Sequence, residues 1–243
     1  MDVTSITISE LTALANVNRR TFYTHYSNIT DILGASEDLR NRVLRAVGDP
    51  DERFREDALR IMRAMRFASV LGFRIEEKTE AAMFRNGGLL KKLSVERVFS
   101  EFRKLVTGKY APDVVRRYID VLGEVFPELY AMKGFDQRNK YHKYDVLEHC
   151  IHAMEAVKTT PENREYMKTA ALFHDIGKPL TYSPDDTGRG HFFDHFYLAE
   201  FHFERFCHVA RRQIVRKLDR KYLEQHLRRE FSHRGWSRDL RSA

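Results

Sequence analysis

Helical hydrophobic periodicity runs through almost the whole sequence and is the feature that most restricts its fold. In "EDALRIMRAMRFASVL" (56–71) and "VERVFSEFRKLV" (95–106) apolar residues recur every three or four positions, and Val95, Phe102 and Val106 mark one face of the second segment. Residues that form turns separate such segments, as in Gly48-Asp49-Pro50. No series of alternating apolar and polar residues indicates a set of strands. The sequence therefore predicts an all-α fold of many helices joined by short loops.

The composition predicts a globular cytoplasmic protein. The chain has 243 residues, 42% of them hydrophobic, and no apolar run approaches the ~20 residues that a transmembrane helix needs. The start "MDVTSITISE" lacks the basic and then apolar order of a secretory signal. Two isolated cysteines, Cys150 and Cys207, do not make a disulfide framework. We expect no membrane partner.

The positive charge is concentrated in the C-terminal tail. The net charge is +7, and from Phe196 to the end there are 12 Lys or Arg against six Asp or Glu, a surplus of six. The apolar spacing from His195 to Phe231 predicts a long helix among these basic residues. Two interpretations stay open, a surface that attracts RNA or DNA through phosphate contacts and an ordinary solvated helix face.

A helix-turn-helix pattern occupies the N-terminal segment "ITISELTALANVNRRTFYTHYSNITDIL" (6–33). This segment resembles the DNA-reading part of tetracycline-repressor-type regulators. The alternative is two short helices that serve only for packing. The resemblance implies DNA contacts by the residues Asn18, Arg19, Arg20, Thr21, Tyr23 and His25.

A carboxylate and a guanidinium lie three residues apart in "EDALR". On one helix face, Asp57 and Arg60 could together read the pairing edge of a base, and the alternative is an intrahelical salt bridge. The surrounding run "DLRNRVLRAVGDPDERFREDALRIMRAMRFASVLGFRIEEKT" (38–79) resembles the neck of bacterial CCA-adding tRNA nucleotidyltransferases and related poly(A) polymerases. That resemblance implies that Asp57 and Arg60 are a protein template for CTP or ATP, with Arg63 nearby and a tRNA-like RNA as partner.

Nucleotide addition in that family needs a head domain upstream of the neck. Its glycine-rich loop holds the triphosphate, and its paired carboxylates bind magnesium. Upstream of Asp38 the sequence contains no Gly-Ser pair and no Asp-x-Asp. We therefore expect that the chain does not add nucleotides alone.

The stretch "TAALFHDIGKPLTYS" (169–183) places His174 and Asp175 directly after an apolar helical run. Burying these two groups is costly unless something pairs with them, and a metal ion is one candidate. His149 in "YDVLEHCIHAM", together with His191 and His195 in "GRGHFFDH", offers further nitrogen ligands. Imidazole and carboxylate together suit Zn, Mn, Ni, Co or Fe, which favour phosphoester hydrolysis by acidifying water.

Together these segments resemble an HD-type metal phosphohydrolase domain. The resemblance implies that His149 is the first ligand, that His174 and Asp175 are the signature pair, and that His191 and His195 belong to a second site or contact phosphate. The last carboxylate ligand is then Asp219, with Asp194 as an alternative. Lys178 would stabilise charge on a phosphate oxygen. The competing interpretation is a structural relic without metal.

The predicted organisation has four parts: a helix-turn-helix-like segment (1–35), a neck-like helical region (36–135), an HD-type domain (136–200) and a basic helical tail (201–243). The leading hypothesis is a metal-dependent phosphohydrolase that needs a divalent ion (Mn, Ni, Zn, Fe, Co or Mg). It acts on a phosphomonoester or cyclic phosphodiester, with an RNA end as one source. The alternatives are a nucleic-acid-binding protein without catalysis and an inactive mosaic.

Overall fold

The computed structural model describes residues 38, 40–136, 144–185 and 190–192. The described residues form two compact units, with the division between Tyr130 and Ala131. Helices dominate both units, so the all-α prediction is confirmed. None of the helices in the described part of the chain has the length and apolar character that crossing a bilayer requires.

The first unit is a bundle of helices with one small parallel strand pair. Two-residue strands β1 (Val43–Leu44) and β2 (Arg74–Ile75) pair in parallel. Neither strand shows an alternating pattern in the sequence, because two residues are too few to form one. The helices are α1 (Pro50–Glu56), α2 (Leu59–Leu71), α3 (Glu77–Asn86), a 3-10 helix (Gly87–Lys92), α4 (Val95–Val106), α5 (Ala111–Leu122) and α6 (Pro127–Ala131), in which the division falls.

Local chemistry sets several of these helix ends. The Asp49 carboxylate accepts a hydrogen bond from the backbone N–H of Glu52 at 2.9 Å, and Pro50 occupies the first position of α1. Gly72 ends α2 in the left-handed region at φ 69°, where a side chain would be strained.

Helices α2 and α4 pack against each other at the centre of this unit. Their apolar faces are buried, and the Ser69 hydroxyl donates to the Leu105 carbonyl at 3.0 Å. Val95 departs from the predicted stripe, because it is half exposed at the first residue of α4. The core includes Ile61, Met62, Met65, Met83, Leu90, Phe102 and Phe126.

The second unit is built on two packed helices and a short hairpin. Its elements are α7 (Val146–Ala156), α8 (Arg164–Phe173), α9 (Lys178–Thr181), β3 (Tyr182–Pro184) and β4 (Gly190–Phe192). The strands pair antiparallel, with Tyr182 opposite Phe192. The Lys168 ammonium donates to the Met154 carbonyl and so joins α8 to the C-terminal end of α7. Apolar residues between α7 and α8 form the core that supports the site.

Candidate metal centre

Two helices bring the His and Asp side chains together. The Asp145 carboxylate caps α7 by accepting from the Glu148 N–H at 2.7 Å, which places His149 in the first helical turn. Helix α8 ends at Phe173, so His174 is its C-cap residue and Asp175 lies in the following turn. The helix thus ends directly before the pair, which follows the apolar helical run as the sequence indicated. His149 and Asp175 are buried, and His174 is largely so.

Three potential ligand atoms meet at short distances. His174 Nε2 lies 3.2 Å from His149 Nε2, and each of these nitrogens lies 3.3 Å from Asp175 Oδ2. Among the residues that the structure describes, these three form the one group of His, Cys, Asp and Glu close enough to hold a metal ion.

The separations fit a single bound ion. Ligand atoms about 2.1 Å from one metal, at angles between the octahedral ~90° and the tetrahedral ~109°, are about 3.0–3.4 Å apart. The three distances between His149, His174 and Asp175 fall inside that interval. The donor set of two imidazoles and one carboxylate also suits a divalent transition metal.

The ring of His174 is oriented by its own helix. Its Nδ1 lies 2.9 Å from the Ala171 carbonyl oxygen, and because a carbonyl only accepts, Nδ1 carries the hydrogen. In the neutral ring the lone pair is then on Nε2, the atom that faces Asp175 and His149. An unprotonated nitrogen and an anionic oxygen at this distance repel each other, so a cation is needed between them. That cation is either a proton or a metal ion.

The electrostatics of His174 and Asp175 agree with the need for a cation between them. Burial lowers the pKa of His174, but the Asp175 carboxylate and Cys150 together raise it, so that the pKa lies well above its ordinary value. Burial raises the pKa of Asp175, and the positive charges of His174 and Lys178 bring it well below its ordinary value. In the absence of metal the two groups therefore form an ion pair.

Lys178 also reaches Asp175. Its Nζ lies 2.8 Å from Asp175 Oδ2, and the residue is only 9% exposed. The Phe192 ring of β4 lies 5.4 Å from the same ammonium group. The predicted charge-stabilising residue is thus in direct contact with the signature pair.

Of the remaining predicted ligands the structure describes one, His191, and it is not part of this cluster. His191 lies in β4, where its Nε2 is 3.0 Å from Asp185 Oδ2 at an exposed position. His195, Asp194 and Asp219 lie outside the described residues, and so do the predicted DNA-contacting residues Asn18, Arg19, Arg20, Thr21, Tyr23 and His25. Their roles stay predictions.

The proposed base-reading pair of the first unit does not share a helix face. Asp57 has extended backbone between α1 and α2, and its Oδ1 accepts from the Leu59 N–H at 3.1 Å. Arg60 instead places Nη1 2.6 Å from Glu56 Oε2. The prediction of a shared helix face is wrong, because the Asp57 carboxylate accepts a hydrogen bond from nearby backbone and Asp57 interrupts the helix.

One further contact and the burial of Arg63 complete the description of the residues proposed as a nucleotide template. Arg97 Nη2 lies 3.5 Å from Asp57 Oδ1, and Arg63 is buried within α2. Nucleotide reading by Asp57, Arg60 and Arg63 stays a prediction.

Sequence reasoning missed two groups that hold His174 in place. The Ala171 carbonyl bonds to Nδ1, and Cys150 Sγ lies 3.6 Å from the same atom. A signal existed for each, because Ala171 precedes His174 by three residues in a helical run and Cys150 directly follows His149.

Comparison with known families agrees with this geometry. Residues 140–234 match the HD domain family. The chain contains an HD domain. Residues 72–132, upstream of the HD domain, match the family described as a probable RNA and SrmB-binding site of polymerase A. The predicted resemblance to these families is confirmed, whereas the helix-turn-helix resemblance stays a prediction.

Curated relatives of this HD-containing chain are named CCA-adding enzymes. That of Lactobacillus helveticus (strain DPC 4571) is 47% identical over 109 residues, which are 44% of this chain and 27% of the relative. That of Lactococcus lactis subsp. cremoris (strain MG1363) is 59% identical over 80 residues, 33% of this chain and 20% of the relative. The chain thus spans about a quarter of the length of such relatives.

Two solved structures share only a distant similarity with this chain. A tRNA-processing enzyme in an apo form has a TM-score of 0.47 at 21% identity, covering 88% of this chain and 60% of that chain. The Bacillus stearothermophilus CCA-adding enzyme in complex with CTP has a TM-score of 0.41 at 24% identity, covering 81% of this chain and 52% of that chain.

Proposed function

We propose that the HD domain binds a divalent metal ion through His149, His174 and Asp175 and hydrolyses a phosphoester. One observation carries the proposal. Nδ1 of His174 lies beside the Ala171 carbonyl, so in the neutral ring the lone pair of Nε2 is directed at both Asp175 and His149, at separations that suit ligands of one ion. Mn, Ni, Zn, Fe and Co all suit two imidazoles and a carboxylate, and Mg is the hard-ion alternative.

The protein groups around the ion have distinct roles. A divalent ion in such a site supplies acidified water and polarises a phosphoryl oxygen. The Ala171 carbonyl keeps the hydrogen of His174 on Nδ1 and therefore leaves Nε2 available as a ligand. The buried ammonium of Lys178 lies beside Asp175 and can hold a phosphate oxygen as a point charge.

The substrate class follows from this charge arrangement. Cationic groups around one buried carboxylate favour an anionic ester, so a phosphomonoester or a cyclic phosphodiester is the substrate that we propose. RNA ends carry such groups, and the match of residues 72–132 to an RNA-binding family supports RNA as their source. The inability of the chain to add nucleotides alone stays a prediction.

The test is hydrolysis after metal loading. We would load the protein with Mn²⁺, Ni²⁺ or Zn²⁺ and measure hydrolysis of p-nitrophenyl phosphate, bis(p-nitrophenyl) phosphate and cyclic nucleoside phosphates. Asp175→Asn should abolish activity, while Asp113→Asn, at an exposed carboxylate of α5, should leave it unchanged. Equal activity of the wild type and Asp175→Asn would refute the proposal.

A second candidate function is RNA binding without catalysis. The match of residues 72–132 favours it, and the basic tail adds positive charge. Binding through phosphate contacts releases counterions, so the affinity for a tRNA transcript should fall linearly on a logarithmic scale as salt rises. A DNA duplex of equal length tests the DNA alternative. Undetectable or salt-insensitive binding would argue against this function.

A further inference from the structure

One carboxylate oxygen of the HD site has three nitrogen atoms as close neighbours. Asp175 Oδ2 lies 3.3 Å from both imidazole nitrogens and 2.8 Å from Lys178 Nζ. The oxygen that belongs to the candidate metal ligands is thus also the partner of a buried ammonium group.

The backbone keeps this ammonium within reach of the oxygen. The N–H of Lys178 donates to the carbonyl of Asp175 at 3.0 Å, and Lys178 is the first residue of α9. This turn places the two side chains three residues apart, next to each other. The Phe192 ring, 5.4 Å from Nζ, covers the ammonium from the hairpin side.

A metal and this ammonium would lie close together. A metal–oxygen bond is about 2.0–2.2 Å long, so a metal on Oδ2 and an ammonium 2.8 Å from the same atom are no more than about 5 Å apart. Both carry positive charge in a buried site, where repulsion is poorly screened. Each therefore weakens the hold of the other on Asp175.

We propose that Lys178 is the resident counter-ion of Asp175 in the metal-free protein and competes with the metal for this carboxylate, which lowers the affinity of the site for metal. This inference rests on the proposed metal binding by the HD domain. The opposite role, in which Lys178 orients Asp175 for the metal, predicts the opposite sign. The proposal thus makes Lys178 a residue that sets metal affinity.

Metal loading then changes what Lys178 can bind. Once the metal neutralises Asp175, the ammonium is released from its strongest attraction, although the turn at 175–178 keeps it beside the site. An anion can then take the place of the carboxylate as its partner. Metal and inorganic phosphate should therefore bind with positive coupling, and the coupling is reciprocal.

The test is Mn²⁺ affinity at fixed pH, measured by the loss of the electron paramagnetic resonance signal of free Mn²⁺. Lys178→Met keeps the length of the side chain but removes its charge, and Lys178→Gln keeps a hydrogen-bond donor in case the first variant does not fold. Both should bind Mn²⁺ about tenfold more tightly than the wild type or better, where tenfold corresponds to about 1.4 kcal/mol. Lys92→Met, the same change at an exposed position of the first unit, should have no effect.

The possible outcomes distinguish a failure of the competition by Lys178 from a failure of the proposed metal binding. Tighter binding by both variants supports the competition, and so does Mn²⁺ binding by the variants alone. Binding by the wild type with equal or weaker binding by the Lys178 variants overturns the competition but leaves the metal site intact. Absence of binding in every protein refutes the metal site itself and the inference with it.

Discussion

Both units bury a carboxylate beside a basic side chain, but of these two carboxylates only that of the HD domain also faces imidazoles. In the first unit Glu101 Oε2 lies 2.8 Å from Arg66 Nη1, and Arg66 is 1% exposed. In the HD domain Asp175 faces two imidazoles, which are charged only when they take up a proton.

The difference separates a structural site from one suited to a ligand. A guanidinium stays protonated at any ordinary pH, so Glu101 has a cationic partner that depends on neither an added proton nor a metal. In the His149–His174–Asp175 cluster Lys178 contacts the carboxylate, but the imidazole nitrogens that face the same oxygen still need a proton or a metal between them and that oxygen. Burial of charge alone therefore does not mark a functional site; the identity of its partner does.

The largest expected effect concerns the structural pair. Arg66→Met leaves Glu101 buried without its guanidinium, which should lower the free energy of unfolding by about 3–5 kcal/mol. Urea unfolding followed by circular dichroism measures the change. The double variant Arg66→Met/Glu101→Leu should recover most of the loss, and a single variant as stable as the wild type would contradict the comparison.

Metal should stabilise only the HD domain. At a free concentration about 100 times Kd, a ligand that binds the folded state adds about 2.7 kcal/mol. Hydrogen exchange of α7 and α8 should slow when Mn²⁺ is added, while exchange in α2 and α4 stays the same. Asp175→Asn should remove the effect. Equal slowing in both units would break the distinction between them.

The pH dependence should also differ between the two units. The pKa of His174 is raised in the folded state, so its contribution to stability is full below the unfolded pKa and is lost as pH rises through the folded value. The pKa of Asp175 is lowered, so its contribution is lost only in acid, as pH falls through the folded value.

These signs predict that the metal-free HD domain loses stability from pH 6 towards alkaline pH. Thermal unfolding of the wild type and of His174→Asn across this range measures the effect, which is the smallest of the three. The slope should be shallower in His174→Asn. Identical slopes would show that His174 does not carry the titration.

The sequence predicted the parts of the molecule that depend on local patterns. Helical periodicity predicted α2 and α4, and the His174-Asp175 pair after an apolar run predicted a buried polar site. His149 was predicted as a ligand from the HD resemblance, and it lies among the buried residues of α7.

Features that depend on contacts distant in sequence could not be predicted. Strands β1 and β2 are two residues long and pair across about thirty positions, so neither carries a period. The contact of His191 with Asp185 forms through the hairpin, and the predicted role of His191 at a second site or with phosphate stays a prediction. Arg60 has two carboxylates within reach, and only the break at Asp57 decides that Glu56 is its partner.

The most direct test of the metal site is the metal content of the purified chain, measured by mass spectrometry after loading with Mn²⁺, Ni²⁺ or Zn²⁺. The wild type and His191→Ala should retain stoichiometric metal, because His191 pairs with Asp185 away from the cluster. His174→Ala should retain none. Metal retained by His174→Ala, or never held by the wild type, would contradict a metal centre formed by His149, His174 and Asp175.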